Sequence, residues 1–217
     1  MIKGFVFDMD GLLFDSERIV QRSWNAAGSE LGYGAVGEQI YHTLGFNRAR
    51  RAAYFKEIYG DDFPIEAFQE KARVHFMQIV EREGMAMKAG VREILQFARE
   101  KGLVVGLATS SSEDYARGNL QRAGIASYFD GLICGNMVEK SKPDPEIYLK
   151  ACAAIGAAPA EAIAFEDASS GILAASAAGL KTVMVPDLVQ PAAEILEKVW
   201  MLKSSLIEAL EELKKVL

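Results

Sequence analysis

The chain of 217 residues is long enough for one large domain, or for one domain carrying an insertion, and half of its residues are hydrophobic. Its formal net charge of −6 argues against a nucleic-acid partner, because binding to that polyanion needs clustered basic residues. Two widely spaced cysteines and two histidines argue against a disulfide framework and a zinc site. No apolar run is long enough to span a membrane, so we expect a soluble, cytoplasmic protein.

The first predicted element is a buried strand over Ile2–Phe7, a β-branched and aromatic run that ends in acidic residues and Gly11. A helix follows, because apolar residues between Val20 and Leu31 recur at the spacing of one helical face. The pattern stays helical to about Gly84 and contains no convincing strand. The first strand is therefore followed by a long helical block.

From about Lys88 the pattern alternates between helices and strands. The later strands are predicted at Leu103–Ala108, Gly131–Cys134, Ala162–Phe165 and Thr182–Val185. Strands separated by helices of this length predict βαβ units and a parallel, doubly wound, Rossmann-like sheet, which is an α/β fold. We therefore predict an α/β core domain of residues 1–14 and 88–217, and an inserted α-helical cap domain of residues 15–87.

Polar side chains follow the ends of four predicted strands. In chain order they are Asp8 and Asp10, then Thr109 and Ser110, then Lys142, then Glu166 and Asp167. In open parallel sheets, ligands bind beyond the carboxyl ends of the strands, so these side chains should converge. Four carboxylates at close range repel one another unless a divalent cation binds among them, and their hard oxygens favour Mg²⁺.

These residue types suit the steps of phosphoryl transfer. The Asp8 carboxylate is ionised at neutral pH and can attack phosphorus to form an aspartyl-phosphate. Asp10 can donate a proton to the leaving oxygen, while Lys142 can neutralise the charge of the phosphate. Thr109 and the amide of Ser110 can hold phosphate oxygens beside a helix N-terminus. The pattern predicts an enzyme.

The segments Asp8-Met9-Asp10-Gly11, Leu107-Ala108-Thr109-Ser110, Lys142-Pro143 and Glu166-Asp167 resemble the four ordered motifs of the haloacid dehalogenase superfamily. The position of the cap is similar to that in its β-phosphoglucomutase-like branch, and the resemblance covers essentially the whole chain. It implies the following roles: Asp8 as nucleophile and Mg²⁺ ligand, Asp10 as acid/base with its backbone carbonyl on the metal, Thr109 and Lys142 on the phosphate, and Glu166 and Asp167 in the Mg²⁺ shell. The dehalogenases of the superfamily lack the second aspartate, so its presence favours phosphoryl transfer.

Three functions remain open at this point. The mutases of this branch carry a cap histidine where this chain has Val20, and a cap lysine where an ungapped comparison gives Ala72, next to Lys71. We therefore expect a monomeric phosphatase acting on a small phosphorylated metabolite, such as a sugar or polyol phosphate. The alternative is a β-phosphoglucomutase. Arg48 of the cap is a candidate substrate-binding residue, whose guanidinium can grip a second phosphate or a sugar, and this keeps the mutase open; the other interpretation of Arg48 is a solvated helix face. A non-catalytic phosphate-binding protein is the third hypothesis.

Overall fold

The computed structural model of the protein describes residues 1–43 and 48–217, apart from the side chains of Arg48 and Ala49. Within these residues the strands are β1 (Gly4–Phe7), β2 (Val104–Ala108), β3 (Gly131–Ile133), β4 (Ala162–Glu166), β5 (Lys181–Met184) and β6 (Met201–Leu202). The helices are α1 (Ser16–Glu30), α2 (Ile40–Thr43), α3 (Arg48–Tyr59), α4 (Ile65–Glu83), α5 (Val91–Glu100), α6 (Glu113–Arg122), α7 (Glu146–Ala154), α8 (Ser169–Ala177), α9 (Ala193–Leu196) and α10 (Leu206–Val216).

All six strands form one parallel sheet in the order β3-β2-β1-β4-β5-β6. β1 is buried along its whole length, as expected for a short apolar strand covered on both faces. Its last residue, Phe7, is in register with Leu107 of β2 and Phe165 of β4. The residues that follow these three strand positions therefore lie side by side at one edge of the sheet.

Small side chains bring α7 and α8 close to the sheet. Ala151 of α7 and Ala174 of α8 belong to one buried cluster together with Val6 of β1 and Ala164 of β4. Because alanine keeps the helix backbone near its neighbours, this face is thin and densely packed. The same cluster includes Tyr148, which is completely buried in the first turns of α7.

The chain divides into two compact units, Met1–Phe14 with Ala86–Leu217, and Asp15–Met85. The second unit has its own aromatic core, in which the ring of Phe55 lies 5.4 Å from that of Trp24 and 4.9 Å from that of Phe68. All the regular elements that the structure describes in this unit are helices. No helix in the described residues has both the length and the apolar composition needed to cross a membrane.

The predicted α/β fold with a doubly wound parallel sheet is confirmed. Two elements were not predicted from the sequence, namely α9 and the edge strand β6. β6 has only two residues, and Leu202 is largely exposed, so this strand has no buried apolar run that periodicity could detect. Its backbone pairing with β5 is what makes it a strand.

Candidate active site

The loop after β1 brings two carboxylates together. Asp8 lies directly beyond the strand and is only 7% exposed, and its N–H continues the ladder by donating to the carbonyl of Phe165 at 3.0 Å. The chain then turns at Gly11, whose φ of 82° is in the left-handed region that favours glycine. A Cβ on Gly11 would lie 2.2 Å from Oδ2 of Asp167. Glycine therefore allows the loop to approach the Asp167 carboxylate closely.

Lys142 links the carboxylates that follow β1 and β4. Its Nζ donates to Oδ1 of Asp8 and Oε1 of Glu166, both at 2.6 Å, and to the carbonyl of Ala108 at 2.9 Å. Burial alone would lower the pKa of this lysine, but the charges of Asp8 and Glu166 outweigh it and raise the pKa above its ordinary value. The site therefore contains a buried ammonium group, and the two carboxyl groups beside it favour its charged form.

Glu166 is held from three sides. Its side chain is 1% exposed, and its Oε1 accepts hydrogen bonds from Lys142 and from the hydroxyl of Tyr148. A Cβ on Gly171 of α8 would lie 1.9 Å from its Cδ, so the carboxyl group rests directly on the helix backbone. Burial raises the pKa of Glu166, and the charge of Lys142 opposes that rise. A cation next to Glu166 therefore stabilises the ionised form of this buried carboxyl group.

Three carboxyl groups offer a set of oxygen ligands. Asp8, Glu166 and Asp167 each present one oxygen, and these oxygens all lie within 4.8 Å of one another. Carboxylate oxygens are hard ligands, suited to Mg²⁺ or Ca²⁺ rather than to softer metals. The close approach at Gly11 brings the loop after β1 toward Asp167. The residues of this site therefore fit a hard divalent cation.

The loop after β2 lies next to these groups. Thr109 is buried, and its Oγ1 accepts a hydrogen bond from the N–H of Ser111 at 3.1 Å, which leaves its hydroxyl proton able to donate elsewhere. Ser110 is exposed at the same strand end. A polar, partly open loop of this kind, just before the N-terminus of α6, is suited to an anion.

Asp10 occupies a half-buried position with two hydroxyl partners. Ser111 Oγ donates to its Oδ2 at 2.7 Å, and Tyr115 Oη donates to its Oδ1 at 3.3 Å. Burial raises the pKa of Asp10 to about 6, and the nearby charge of Asp8 adds to that rise, while the two hydroxyl hydrogen bonds and Lys142 oppose it. The two aspartates of this loop therefore have different partners, since Asp8 contacts an ammonium and Asp10 contacts hydroxyls.

Most of the residues selected from the sequence meet at this edge of the sheet. Asp8, Glu166 and Lys142 are in direct contact, with Asp167 beside them. Asp10 and Thr109 join them through Ser111, which contacts both. The side chain of Arg48 lies outside the residues that the structure describes.

Three contributing side chains were missed by the sequence analysis, namely Ser111, Tyr115 and Tyr148. A partial signal existed, because Ser111 follows Thr109 by two residues and Tyr148 lies on the helix that follows Lys142. Neither position differs in pattern from an ordinary loop serine or core tyrosine, so only the contacts identify them. A parallel α/β sheet with clustered carboxyl groups at its carboxyl edge defines an α/β protein whose ligand site lies at that edge.

The chain belongs to the haloacid dehalogenase-like hydrolases. The model of that family matches residues 5–185 of the 217. This match confirms the family predicted from the four motifs and the prediction of a hydrolytic enzyme.

Individual relatives extend over nearly the same length. A Bacillus subtilis protein named "Putative phosphatase YhcW" is 36% identical over 193 residues, which cover 87% of this chain and 86% of that protein. The "Phosphorylated carbohydrates phosphatase" of Thermotoga maritima is 31% identical over 183 residues, or 84% of each chain. A crystal structure described as a "putative beta-phosphoglucomutase from Thermotoga maritima" is 28% identical, covers 100% of both chains and superposes with a TM-score of 0.83. These similarities support a phosphoric monoester hydrolase of the β-phosphoglucomutase-like branch.

Proposed function

We propose that this protein is a Mg²⁺-dependent phosphatase that hydrolyses a small phosphorylated metabolite through an aspartyl-phosphate on Asp8. The observation that carries the proposal is the position of the Lys142 ammonium, 2.6 Å from both Asp8 and Glu166. This cation reduces the repulsion that a phosphate dianion would otherwise meet from the Asp8 carboxylate. Asp10 supplies the second carboxyl group that proton transfer requires.

The proposed reaction has two steps. In the first, a carboxylate oxygen of Asp8 bonds to phosphorus while the bond from phosphorus to the ester oxygen breaks, and the leaving oxygen takes a proton from the Asp10 carboxyl group. In the second, water bonds to phosphorus, the bond from phosphorus to Asp8 breaks, and the Asp10 carboxylate takes a proton from the water. Phosphate is released, and both aspartates return to their starting forms.

The remaining polar groups have binding roles in this proposal. Asp8, Glu166 and Asp167, together with the backbone carbonyl of Asp10, would hold Mg²⁺. When bound, the ion supplies positive charge that stabilises the charge developing on the phosphoryl oxygens. The hydroxyl of Thr109, the N–H of Ser110 and the Lys142 ammonium would bind those same oxygens, as the open loop before α6 favours.

Sugar or polyol phosphates are the substrate class that we propose, in keeping with the relative from Thermotoga maritima whose name refers to phosphorylated carbohydrates. The mutase alternative is not favoured. Val20 stands where mutases have a histidine, Ala72 is buried in α4, and the neighbouring Lys71 is bonded to Glu30 at 2.6 Å. We propose that residues 15–87 form a helical cap domain, and that Arg48 of this domain is a substrate-binding residue.

We also propose that the enzyme works as a monomer in the cytoplasm. All the groups needed for the reaction come from one chain, so a second copy would add nothing to the chemistry described. Cys134 and Cys152 are both buried free thiols, which a reducing compartment preserves.

The test is release of inorganic phosphate from a panel of sugar, polyol and simple alkyl phosphates, with p-nitrophenyl phosphate as a generic substrate. We expect turnover by the wild-type enzyme that stops with EDTA and returns with Mg²⁺. Asp8→Asn should reduce it by at least about 10³-fold, because the nucleophile is lost. Asp61→Asn, the same change at an exposed cap residue, is the matched control. Absence of turnover on the whole panel would reject the proposal, and conversion of β-glucose 1-phosphate to the 6-phosphate without phosphate release would favour the mutase instead.

A further inference from the structure

The carboxyl group of Asp10 is held at both of its oxygens by hydroxyl groups that the sequence did not single out. Ser111 donates to Oδ2 at 2.7 Å and Tyr115 to Oδ1 at 3.3 Å. We infer that Ser111 and Tyr115 are positioning residues that aim the Asp10 carboxyl group at the leaving oxygen of the substrate. This inference rests on the proposed function, because it assigns a task to two residues within the proposed reaction.

Ser111 is fixed by its own backbone. Its N–H donates to Oγ1 of Thr109 at 3.1 Å, and its carbonyl accepts from the N–H of Gly135 at 2.8 Å. A Cβ on Gly135 would lie 2.1 Å from the carbonyl oxygen of Ser110, so the two loops are in direct backbone contact. The Ser111 hydroxyl therefore projects from a loop that is tied down on both sides, as a group that orients another residue should be.

Tyr115 approaches from a different element. It lies in the first turn of α6, half-buried, and its carbonyl accepts a hydrogen bond from Nδ2 of the buried Asn119 at 2.9 Å. The hydroxyl groups that reach Asp10 thus come from a loop and from a helix. Two contacts from separate elements restrict rotation of the carboxyl group more than two contacts from one element would.

Hydroxyl groups are the appropriate partners for a residue that gives up and regains a proton in every cycle. A serine or tyrosine hydroxyl can donate to a carboxylate, and it can also accept from a carboxylic acid. An ammonium or guanidinium group can only donate, and would favour the ionised state throughout. The pair of hydroxyls can therefore keep Asp10 oriented in both steps of the proposed reaction, whereas Asp8, the proposed nucleophile, contacts Lys142.

The experiment compares a poor leaving group with a good one. An alkoxide, as in glycerol phosphate, needs a proton as it leaves, whereas p-nitrophenolate leaves without one. The value of kcat/KM includes only steps up to the first irreversible one, so it reports on departure of the leaving group. Wild type, Asp10→Asn, Ser111→Ala and Tyr115→Phe are measured with both substrates at saturating Mg²⁺, using the best alkyl phosphate of the panel if glycerol phosphate is poor.

We expect Asp10→Asn to lower kcat/KM for the alkyl phosphate by about a hundredfold or more, the usual range for a general acid, with a much smaller loss for p-nitrophenyl phosphate. Ser111→Ala should show the same selectivity with a loss of about tenfold on the alkyl phosphate, and Tyr115→Phe a smaller one, since its contact is longer. The controls are Ser112→Ala, in the same loop, and Tyr128→Phe, whose ring lies beside Arg99. Both should behave as wild type.

Equal losses on the two substrates would mean that Ser111 and Tyr115 serve only the local structure, and the inference would be wrong. A gain on the alkyl phosphate would also overturn it, because the hydroxyls would then hold Asp10 away from the leaving group. Either result would leave the proposed phosphatase intact, since wild-type turnover and its loss in Asp8→Asn are measured separately. An inactive wild-type protein would reject both.

Discussion

A substitution at Gly171 tests how rigidly the carboxyl group of Glu166, the last residue of β4, is held in place. In the Gly171→Ala variant, the added Cβ would lie 1.9 Å from Cδ and Oε1 of Glu166 and 2.2 Å from its Oε2. Glu166 cannot move aside without cost, because it is 1% exposed and its Oε1 is bonded to Lys142 and Tyr148. Either this carboxyl group leaves its partners or α8 moves away from the sheet.

Two opposing effects determine how much Gly171→Ala changes the free energy of unfolding. Replacing a helical glycine by alanine stabilises the folded state by about 0.5–1 kcal/mol, because the unfolded chain loses conformational freedom. Overpacking a dense interior costs about 1–3 kcal/mol, and a contact this short belongs at the upper end. The net expectation for Gly171→Ala is therefore a loss of about 2 kcal/mol in the free energy of unfolding, or a fall in Tm of about 4–8 °C for a chain of this size.

Gly118→Ala is the matched control, because it is the same change inside another helix, α6. The nearest heavy atom to a Cβ at Gly118 is the flexible guanidinium of Arg122, at 3.9 Å, so no clash opposes the helical gain. This variant should be more stable than wild type by about 0.5–1 kcal/mol. The same substitution of glycine by alanine should therefore lower the free energy of unfolding at Gly171 and raise it at Gly118.

Urea and thermal unfolding of wild type, Gly171→Ala and Gly118→Ala measure the stability difference. Phosphate release at a temperature where all three are folded measures the effect on the site. We expect the activity of Gly171→Ala to fall by about tenfold to a hundredfold, as is typical when a residue of the reacting centre is displaced by about 1 Å. If Gly171→Ala matched Gly118→Ala in both stability and activity, the reasoning that Glu166 rests rigidly on α8 would be refuted.

Two further predictions concern the charges of the site. Asp167→Asn should raise the Mg²⁺ concentration for half-maximal phosphate release by at least about tenfold, because one of the clustered carboxylates becomes neutral, whereas Asp61→Asn should not change it. Lys142→Met should lower the free energy of unfolding without Mg²⁺ by about 3 kcal/mol, since the buried Asp8 and Glu166 lose their shared cation.

The control for the lysine variant is Lys150→Met. Lys150 pairs with Glu146 at 2.6 Å in an exposed position, where water screens the two charges, so its replacement should change the free energy of unfolding far less. Urea unfolding in EDTA compares the two variants directly. A stability loss at Lys142 no larger than that at Lys150 would contradict the assignment of a buried cation between two carboxyl groups.

The amino-acid sequence was sufficient to predict the fold class and most of the candidate site. The run Gly4–Phe7 is apolar and ends abruptly at Asp8, so both the strand and the point where the chemistry begins are visible in one short segment. Parallel strands share one carboxyl edge, which is why residues as far apart in the chain as Asp8 and Lys142, separated by 134 positions, could be predicted to meet. The apolar strand and the shared carboxyl edge both depend on which residues occur and in what order along the chain, so they can be predicted from the sequence.

The tertiary structure decided which neighbouring side chains hold these groups in place. Ser111, Tyr115 and Tyr148 look like ordinary loop, helix and core residues in the sequence, and their hydrogen bonds to Asp10 and Glu166 exist only because separate segments meet in space. The edge strand β6 was missed for a related reason, since its pairing with β5 depends on backbone geometry rather than on an apolar pattern. Periodicity reports which face of an element is buried, whereas contacts between elements depend on distances that only the folded chain fixes.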